Sequence, residues 1–248
     1  MTAILVTGGS GTLGRELVPM LREQGHDVRV LSRRPTGGSH VADLVTASGL
    51  ADALAGVELV VHAASDTRRF GRTDLAQTRN LLRSSGQVSH LVYISIVGID
   101  QIPLAYYQRK LACEHEIEAS GVPHTILRAT QFHELMARPL HATERLPVVP
   151  LPLRFQFQPV AAADVARRIA ELVEAQPAGR AADFGGPELL TLGDMARTWR
   201  QARGRPRAHW PLAVPGRVGQ VFRAGLNTCP DHRAGTQRWA DFVAAVPS

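Results

Sequence analysis

The chain has 248 residues, of which 44% are hydrophobic, and this is enough to bury the core of one large α/β domain. Its net charge of +6 comes from arginines spread along the whole sequence without interleaved aromatic residues, which argues against nucleic acid and favours small anionic molecules as partners. The two cysteines, Cys113 and Cys229, suggest neither a disulfide framework nor a metal site, and no segment approaches the roughly 20 apolar residues that span a bilayer. We therefore expect a cytoplasmic protein, monomeric or homodimeric, without metal or membrane association.

The first half of the sequence alternates short β-branched runs with helical patterns, as βαβ units do. The pattern predicts strands at 3–7, 27–31, 40–42, 58–62, 91–95 and 125–128. It predicts helices at 13–24, 48–54, 73–83 and 105–119, and a glycine follows each of them closely, as a left-handed C-cap favours. Pro19 lies inside the first helix and should make it less regular. The predicted fold class is α/β, a doubly wound (Rossmann) parallel sheet with helices on both faces.

After Arg128 the alternation stops and prolines become frequent. The later sequence predicts helices at 164–174, 192–202 and 239–246, a strand at 181–184, and a loop around a short strand at 203–215. We therefore predict a single Rossmann-type domain over 1–248. Within it, 1–128 form the dinucleotide-binding core, and 129–248 form mostly a small substrate-binding lobe.

The first predicted strand leads directly into a glycine-rich turn. Gly8, Gly11 and Gly14 have the GxxGxxG spacing, in which small residues allow a tight turn and a close approach of backbone to a pyrophosphate. Thr12 and Leu13 begin the helix, whose N-terminal amides and partial positive charge would hold the phosphates. The turn therefore predicts dinucleotide binding.

The end of the second strand indicates which dinucleotide is bound. An Asp or Glu there would bind the ribose hydroxyl of NAD, whereas arginine favours the 2′-phosphate of NADP. This chain has Ser32, Arg33 and Arg34 and no acid, so we expect NADP(H) as the cofactor. The alternative is that both arginines are solvated surface residues. Asp43, after the third strand, could reach the adenine edge or could be a turn residue.

Lys110 is the only lysine of the chain, and Tyr106 precedes it by four residues on a predicted helix. Residues four apart share a helical face, so the phenol and the ammonium group should lie together, unless Lys110 is a solvated surface charge. Ser95 ends the preceding strand, at the edge where open α/β sheets bind ligands. We predict that Lys110 lowers the pKa of Tyr106, the general acid, and holds the nicotinamide ribose, while Ser95 orients a carbonyl oxygen. Tyr107 is expected either to pack in the core or to line the wall of the substrate pocket.

These segments together resemble the NmrA-like, NAD(P)H-binding branch of the atypical short-chain dehydrogenases/reductases. The resemblance is carried by residues 8–14, 32–35, 62–64, 93–98, 106–110, 127–132 and 164–166. It implies that small residues beside His62, namely Ala63 and Ala64, let the backbone approach the cofactor, where relatives commonly have an Asn-containing turn. The spacing from Ser95 to Tyr106 is shorter than in the family.

The resemblance also implies one of two roles. Some members reduce quinones or carbonyls with NADPH, and others bind the dinucleotide as redox sensors without turnover. Sensors often lack a usable Tyr and Lys pair, and this chain keeps one, so an enzyme is favoured over a non-catalytic NADP(H)-binding regulator. An epimerase or isomerase is less favoured, because the arginine pair indicates NADP.

The part of the chain after Arg128 offers apolar side chains for a substrate pocket, among them Phe132. His133 could hydrogen-bond a substrate oxygen or, like most lone histidines, be structural. The leading hypothesis is an NADPH-dependent reductase that transfers hydride to a bulky, aromatic or polyketide-like carbonyl or quinone. Formation of a hydroquinone could also make it the reductive component of a hydroxylation.

Overall fold

The computed structural model describes residues 1–35, 39–144, 146, 148–204 and 209–246. The chain forms two compact units. Unit 1 comprises Met1–Ser95, Ala105–Arg128 and Val165–Ala182, and unit 2 comprises Ile96–Leu104, Ala129–Asp164 and Asp183–Ser248. The chain first enters unit 2 at Ile96–Leu104, inside the expected dinucleotide-binding core, and enters it again after Arg128, where the lobe is expected to begin. The later segment Val165–Ala182 returns to unit 1.

Among the described residues the strands are β1 (Ala3–Thr7), β2 (Asp27–Ser32), β3 (Ser39–Val41), β4 (Leu59–His62), β5 (His90–Ile96), β6 (His124–Ala129), β7 (Val149–Leu151), β8 (Gln156–Phe157), β9 (Gly179–Arg180), β10 (Leu190–Thr191) and β11 (His209–Pro211). The α-helices are α1 (Thr12–Glu23), α2 (Leu50–Leu54), α3 (Asp74–Ser84), α4 (Ala105–Ala119), α5 (His133–Ala142), α6 (Ala162–Glu174), α7 (Leu192–Ala202), α8 (Gly216–Arg223) and α9 (Trp239–Ala245). None of the helices in the described ranges is long and apolar enough to cross a membrane.

Seven strands form one sheet in the order β3-β2-β1-β4-β5-β6-β9. Strand β1 pairs in parallel with both β2 and β4, and β4 pairs in parallel with β5. The register places Thr7 opposite His62, and His62 opposite Tyr93, so the carboxyl ends of these three strands lie at one edge. The chain reverses its direction of winding between β1 and β4, which is where sheets of this kind bind ligands. The predicted doubly wound parallel sheet is confirmed.

One face of the sheet packs against helices α2, α3 and α4. Leu5, Val60 and Leu91 lie in register on β1, β4 and β5 and are completely buried. They belong to one apolar cluster with Leu81 of α3 and Ile117 of α4. Burial of large aliphatic side chains stabilises the folded state by about 1.5–3 kcal/mol each, so this layer holds both helices against the sheet.

A buried ion pair fastens α4 to β6. The guanidinium group of Arg128 donates from Nε to Oε1 of Glu114 at 2.9 Å and from Nη2 to Oε2 at 2.6 Å. The two side chains are only 4% and 3% exposed. The bidentate geometry restricts rotation of α4 about its axis, which matters because α4 also carries the Tyr106 and Lys110 pair.

Unit 2 has a core of its own, to which α5, α7 and α9 contribute. The rings of Trp199 and Trp239 stack with centroids 6.2 Å apart, and buried Met195 belongs to the same cluster. Asp164, in the first turn of α6, accepts the N–H of Thr236 at 2.7 Å and its hydroxyl at 2.8 Å. These bonds hold the segment that precedes α9.

The structure differs from the sequence-based expectation mainly after residue 128. The strand expected at 181–184 is found at Gly179–Arg180, and Phe184 forms only an isolated bridge. The sequence does not predict α5, which contains Pro139, or α8, which begins at a glycine after a proline. The expected loop at 203–215 lies outside the described residues at 205–208 and otherwise contains β11. Helix α1 continues through Pro19, which is exposed.

Candidate cofactor and active site

The turn between β1 and α1 needs glycine at its first position. Gly8 has a φ of +73°, and a Cβ there would lie 2.8 Å from backbone atoms of Ala63 and Ala64, which follow β4. A side chain at Gly14 would collide with the Cα of Gly9. The two loops therefore pack backbone to backbone, which only residues without side chains allow.

The N-terminus of α1 has capacity for an anion. Gly11, the residue before the helix, makes no side-chain capping bond, and the first turn contains no acidic residue. Gly11 is exposed, Thr12 is half-buried and Leu13 is buried. The first amides of a helix have no intrahelical partner and carry the positive end of its dipole, so a phosphate would be stabilised here.

Buried hydrogen bonds fasten the glycine turn to β4. Nδ1 of His62 lies 2.8 Å from Oγ1 of Thr7, and Nε2 lies 3.1 Å from Oγ1 of Thr78. Oγ1 of Thr7 also accepts the N–H of Ala64 at 3.2 Å. Burial and the charge of Lys110 lower the pKa of His62 to about 3, so the ring is neutral and can accept at one nitrogen. The His62 side chain thus supports the cofactor loops from inside the fold.

The predicted residues for the adenosine end lie at the ends of β2 and β3. Arg33 and Arg34 are exposed, and the turn is organised by Ser32, whose Oγ accepts the N–H of Arg34 at 3.2 Å. Oδ1 of Asp43 accepts the N–H of Val45 at 2.7 Å. Asp43 therefore organises its own turn, which is one of the two roles that the sequence allows.

Lys110 is buried against the sheet, with 3% of its surface exposed, so it is not a solvated surface lysine. Its Nζ donates to the carbonyl oxygen of Ile94 on β5 at 2.9 Å and lies 4.2 Å from the centroid of the Tyr93 ring. Burial lowers the pKa of the ammonium group, and the negative charge of Asp74 acts in the opposite direction. An ammonium group has three hydrogens, so Lys110 retains capacity for ligand oxygens.

Tyr106 has a different partner from the one that the sequence suggests. Its Oη lies 3.1 Å from Oγ of Ser65, and the Ser65 hydroxyl donates to Oδ2 of Asp74 at 2.6 Å. Burial raises the pKa of the phenol and Asp74 raises it further, whereas a hydrogen bond donated by Ser65 would lower it. The expectation that Lys110 lowers this pKa is wrong, because the ammonium group is directed to the backbone of β5.

Ser95 is buried at the carboxyl end of β5, with 3% of its surface exposed. Its Oγ has no hydrogen-bond partner within the described part of the chain. Because side chains alternate along a strand, Ser95 shares the face of Tyr93, against which Lys110 packs. A buried hydroxyl without a partner costs stability, which is consistent with a ligand that supplies the missing bond.

Two of the three predicted substrate residues, Tyr107 and His133, are more buried than a pocket wall would be. Tyr107 is 7% exposed and packs edge-on against Tyr106, with ring centroids 6.2 Å apart. His133 is completely buried in unit 2, where its Nε2 lies 3.2 Å from the carbonyl oxygen of Gln237 and its ring stacks on Phe242. Phe132 is half-buried and precedes α5. The substrate roles of all three stay predictions.

Sequence reasoning missed Ser65 and Asp74. Neither belongs to a motif that we recognise, and both lie in or beside the loop after β4. The one signal is positional: Ser65 follows the small residues after His62, at the edge where the site is expected, and Asp74 begins the next helix.

A family model described as NAD(P)H-binding matches residues 8–176, more than half of the chain. The chain belongs to this NAD(P)H-binding family. Its resemblance to the NmrA-like branch of the atypical short-chain dehydrogenases/reductases is confirmed.

Named relatives include reductases and epimerase family proteins. A (4-alkanoyl-5-oxo-2,5-dihydrofuran-3-yl)methyl phosphate reductase of Streptomyces griseus is 29% identical over 225 residues, which are 85% of this chain and 77% of that protein. A human epimerase family protein is 30% identical over 127 residues, 48% of this chain, and the match spans only 42% of the human protein. An Escherichia coli NADPH-dependent quinone oxidoreductase, solved with NADPH, superposes with a TM-score of 0.81 at 21% identity, covering 97% of this chain and 98% of that one.

The residues of this NAD(P)H-binding chain fit the cofactor of the family. The N-terminus of α1 has no side-chain cap at Gly11 and no acidic residue in its first turn, so its first amides are available to a phosphate. The Ser95 hydroxyl, at the carboxyl edge of the same sheet, lacks a partner among the described residues, as a polar group that meets a ligand would. Both features lie in unit 1.

Proposed function

We propose that the chain is an NADPH-dependent reductase that transfers hydride to a bulky, aromatic or polyketide-like carbonyl or quinone. The observation that carries this proposal is the burial of Lys110 one helical turn from Tyr106. A buried ammonium group is costly to desolvate, and its place one turn from a phenol favours a site that carries out proton chemistry.

The glycine turn and the N-terminus of α1 would hold the pyrophosphate through the backbone of Gly8, Gly11, Thr12 and Leu13. Arg33 and Arg34 would hold the 2′-phosphate, since both are exposed beside the end of β2. When bound, NADPH supplies the hydride.

Lys110 would bind the nicotinamide ribose through the hydrogens that Ile94 does not use. Ser95 would donate its hydroxyl to the carbonyl oxygen of the substrate. Tyr106 would give that oxygen its proton, and water would return a proton to the phenolate. A quinone needs less help from Tyr106, because its hydride acceptance is easier and solvent can supply protons.

Two comparisons support a reductase. The relative from Streptomyces griseus is named a reductase, and the superposed protein from Escherichia coli is named an NADPH-dependent quinone oxidoreductase. The identity to the second is too low to transfer its substrate, and the site residues in this chain are argued from their own geometry.

The test is consumption of NADPH with a panel of aromatic ketones, polyketide-like ketones and quinones, together with the NADPH dissociation constant. The wild-type chain is expected to oxidise NADPH with at least one class. With a ketone, Tyr106→Phe should lower kcat about 100-fold or more, as loss of a general acid does. With a quinone, Tyr106→Phe should retain most of its turnover.

Leu82→Met, on α3, is a matched control because it changes a partly buried side chain in unit 1 and leaves the site intact. Tight NADPH binding without consumption across the whole panel would contradict the reductase and favour a redox sensor.

A further inference from the structure

A hydrogen-bonded chain of three side chains leads from α3 to the phenol of Tyr106. Asp74 is 3% exposed, and its Oδ2 accepts the Ser65 hydroxyl at 2.6 Å while its Oδ1 accepts the N–H of Asp66 at 2.7 Å. Oγ of Ser65 lies 3.1 Å from Oη of Tyr106. The Ser65 and Asp74 pair has no role in the hydride transfer outlined above.

The number of available hydrogens decides which group donates in each of these hydrogen bonds. A carboxylate only accepts hydrogen bonds, and a serine hydroxyl has one hydrogen to give. The shorter bond, to the charged Asp74, is the stronger of the two that Ser65 makes. Ser65 therefore donates to Asp74 and accepts from Tyr106, which must be protonated to donate.

We propose that Ser65 and Asp74 are positioning residues that keep Tyr106 in its proton-donating form. A serine hydroxyl that donated to a phenolate would stabilise it, but Asp74 holds the only hydrogen of Ser65. A phenol that retains its proton suits reduction, in which the substrate oxygen gains a proton. It is a poor base for the reverse oxidation. This inference rests on the proposed reductase function.

The surroundings of Tyr106 fit this assignment. Besides Asp74 on α3, the ionisable groups that face the phenol are Cys113 on α4 and Tyr93 on β5. Two cations follow Tyr106 within one helical turn of α4, and the Nζ of one of them, Lys110, donates to the carbonyl oxygen of Ile94 on β5. The loop after β4 is also tied to α4, because Arg109 donates to the carbonyl oxygen of Phe70 at 2.7 Å.

The same loop holds the ring of Tyr106 in place. A Cβ at Gly71 would lie 2.9 Å from the Tyr106 ring, so the loop backbone packs directly against that ring. The position of Tyr106 relative to Ser65 is therefore set by packing as well as by the hydrogen bond.

In the reduction, the hydride that bound NADPH would supply, becoming NADP⁺, would form the new C–H bond of the product. The O–H bond of Tyr106 would break, and its proton would form the new O–H bond. The phenolate then regains a proton from water. Ser65 and Asp74 lose and gain no proton over the cycle, so their effect is on the readiness of Tyr106 to give its proton.

The decisive measurement is the pKa of Tyr106 in the full chain labelled with ¹³Cζ-tyrosine. The chain contains three tyrosines, so three signals are expected, and Tyr106→Phe assigns one of them. In Asp74→Asn the new amide donates to Ser65, which turns its hydrogen toward Tyr106. The pKa of Tyr106 should then fall by about one unit. An unchanged pKa would overturn the proposal.

A second test measures the pKa of Tyr106 in Ser65→Ala, which keeps the hydrogen bond from the N–H of Asp66 to Asp74. Because the Ser65 hydrogen is already committed to Asp74, its loss should not raise the pKa of Tyr106. A rise of about one unit would show that Ser65 donates to the phenolate, and would overturn the proposal even if Asp74→Asn fails to fold. Asp66→Asn is the matched control: it neutralises a neighbouring carboxylate that accepts from Thr73 and not from Ser65, and should leave the pKa in place.

The pH dependence of turnover separates this proposal from the proposed function. If ketone reduction needs the Tyr106 proton, its rate falls as the pH rises past the pKa of Tyr106, and Asp74→Asn moves that fall to lower pH. If the pKa moves in the spectra while the rate profile does not, the positioning role stands and the role of Tyr106 in catalysis fails.

Discussion

The Nζ of Lys110 donates to the carbonyl oxygen of Ile94 at 2.9 Å, and this bond directs the only lysine of the chain to the backbone of β5. The ammonium group is buried, and its partner Ile94 lies near the carboxyl end of β5, the strand next to β4 in the sheet. Its direction explains why it does not act on the phenol four residues before it.

Because Lys110 is the only lysine, a chain grown with ¹³Cε-lysine should show a single lysine signal. Burial lowers its pKa from the ordinary 10.5, so the signal should titrate at a lower pH than that of a solvated lysine. Addition of NADPH should move the signal if Lys110 binds the ribose. An ordinary titration that NADPH leaves unchanged would contradict both statements.

Lys110→Met should separate stability from function. It removes a buried charge and keeps a long unbranched side chain, so the free energy of unfolding should be unchanged or rise by about 1 kcal/mol. The affinity for NADPH should fall about 10-fold or more, because hydrogen bonds from a charged donor are worth about 1.5–3 kcal/mol. Urea unfolding and NADPH fluorescence titration measure the two effects. Lys110→Arg should also weaken binding, since the planar fork does not replace a compact ammonium group.

His62 should make the protein sensitive to acid. Its pKa is lowered from 6.5 to about 3, so below pH 6.5 the unfolded chain binds a proton at this site while the folded chain does not. Stability from this residue is therefore lost as the pH falls from 6.5 towards 3, at about 1.4 kcal/mol per pH unit. His62→Gln should lower stability at pH 7 and flatten this slope, as measured by urea unfolding at several pH values. The exposed His115→Gln, on α4, should leave the slope unchanged.

The double variant Arg33→Ala, Arg34→Ala should distinguish NADPH from NADH. Loss of charged bonds to the 2′-phosphate should weaken NADPH binding by about 10-fold to 100-fold and leave NADH binding nearly unchanged. The control is Arg22→Ala with Arg83→Ala, which removes the same charge from exposed residues at the last turns of α1 and α3. An equal loss of affinity for NADPH and NADH would mean that the arginine pair does not bind the 2′-phosphate.

Gly8→Ala should damage the cofactor site directly. Its φ of +73° is unfavourable for alanine, and the new Cβ would meet the backbone of Ala63 at 2.8 Å. We expect a loss of about 1–3 kcal/mol in unfolding free energy and a larger than 10-fold loss in NADPH affinity. Gly86→Ala is the control, because its Cβ meets nothing within 4 Å and its φ is not positive, so stability should be kept or improved.

The sequence by itself determined the sheet and the cofactor turn. Strand β1 and helix α4 have the predicted boundaries, because alternating apolar runs and helical periodicity are local signals. The Gly8, Gly11 and Gly14 spacing also predicted the turn, since φ and close backbone packing restrict such positions to glycine. The region after Arg128 was harder to predict, because α5 and α8 combine helical periodicity with prolines and glycines that locally indicate loops.

Only the tertiary structure decided how the active-site side chains are paired. The spacing of Tyr106 and Lys110 placed both on one helix, but a spacing cannot show where either side chain points. Packing of α4 on β5 directed the ammonium group to Ile94, and packing of the loop after β4 placed Ser65 at the phenol. The partners of Tyr106 come from distant positions in the chain, and such contacts leave no periodic signal in the sequence.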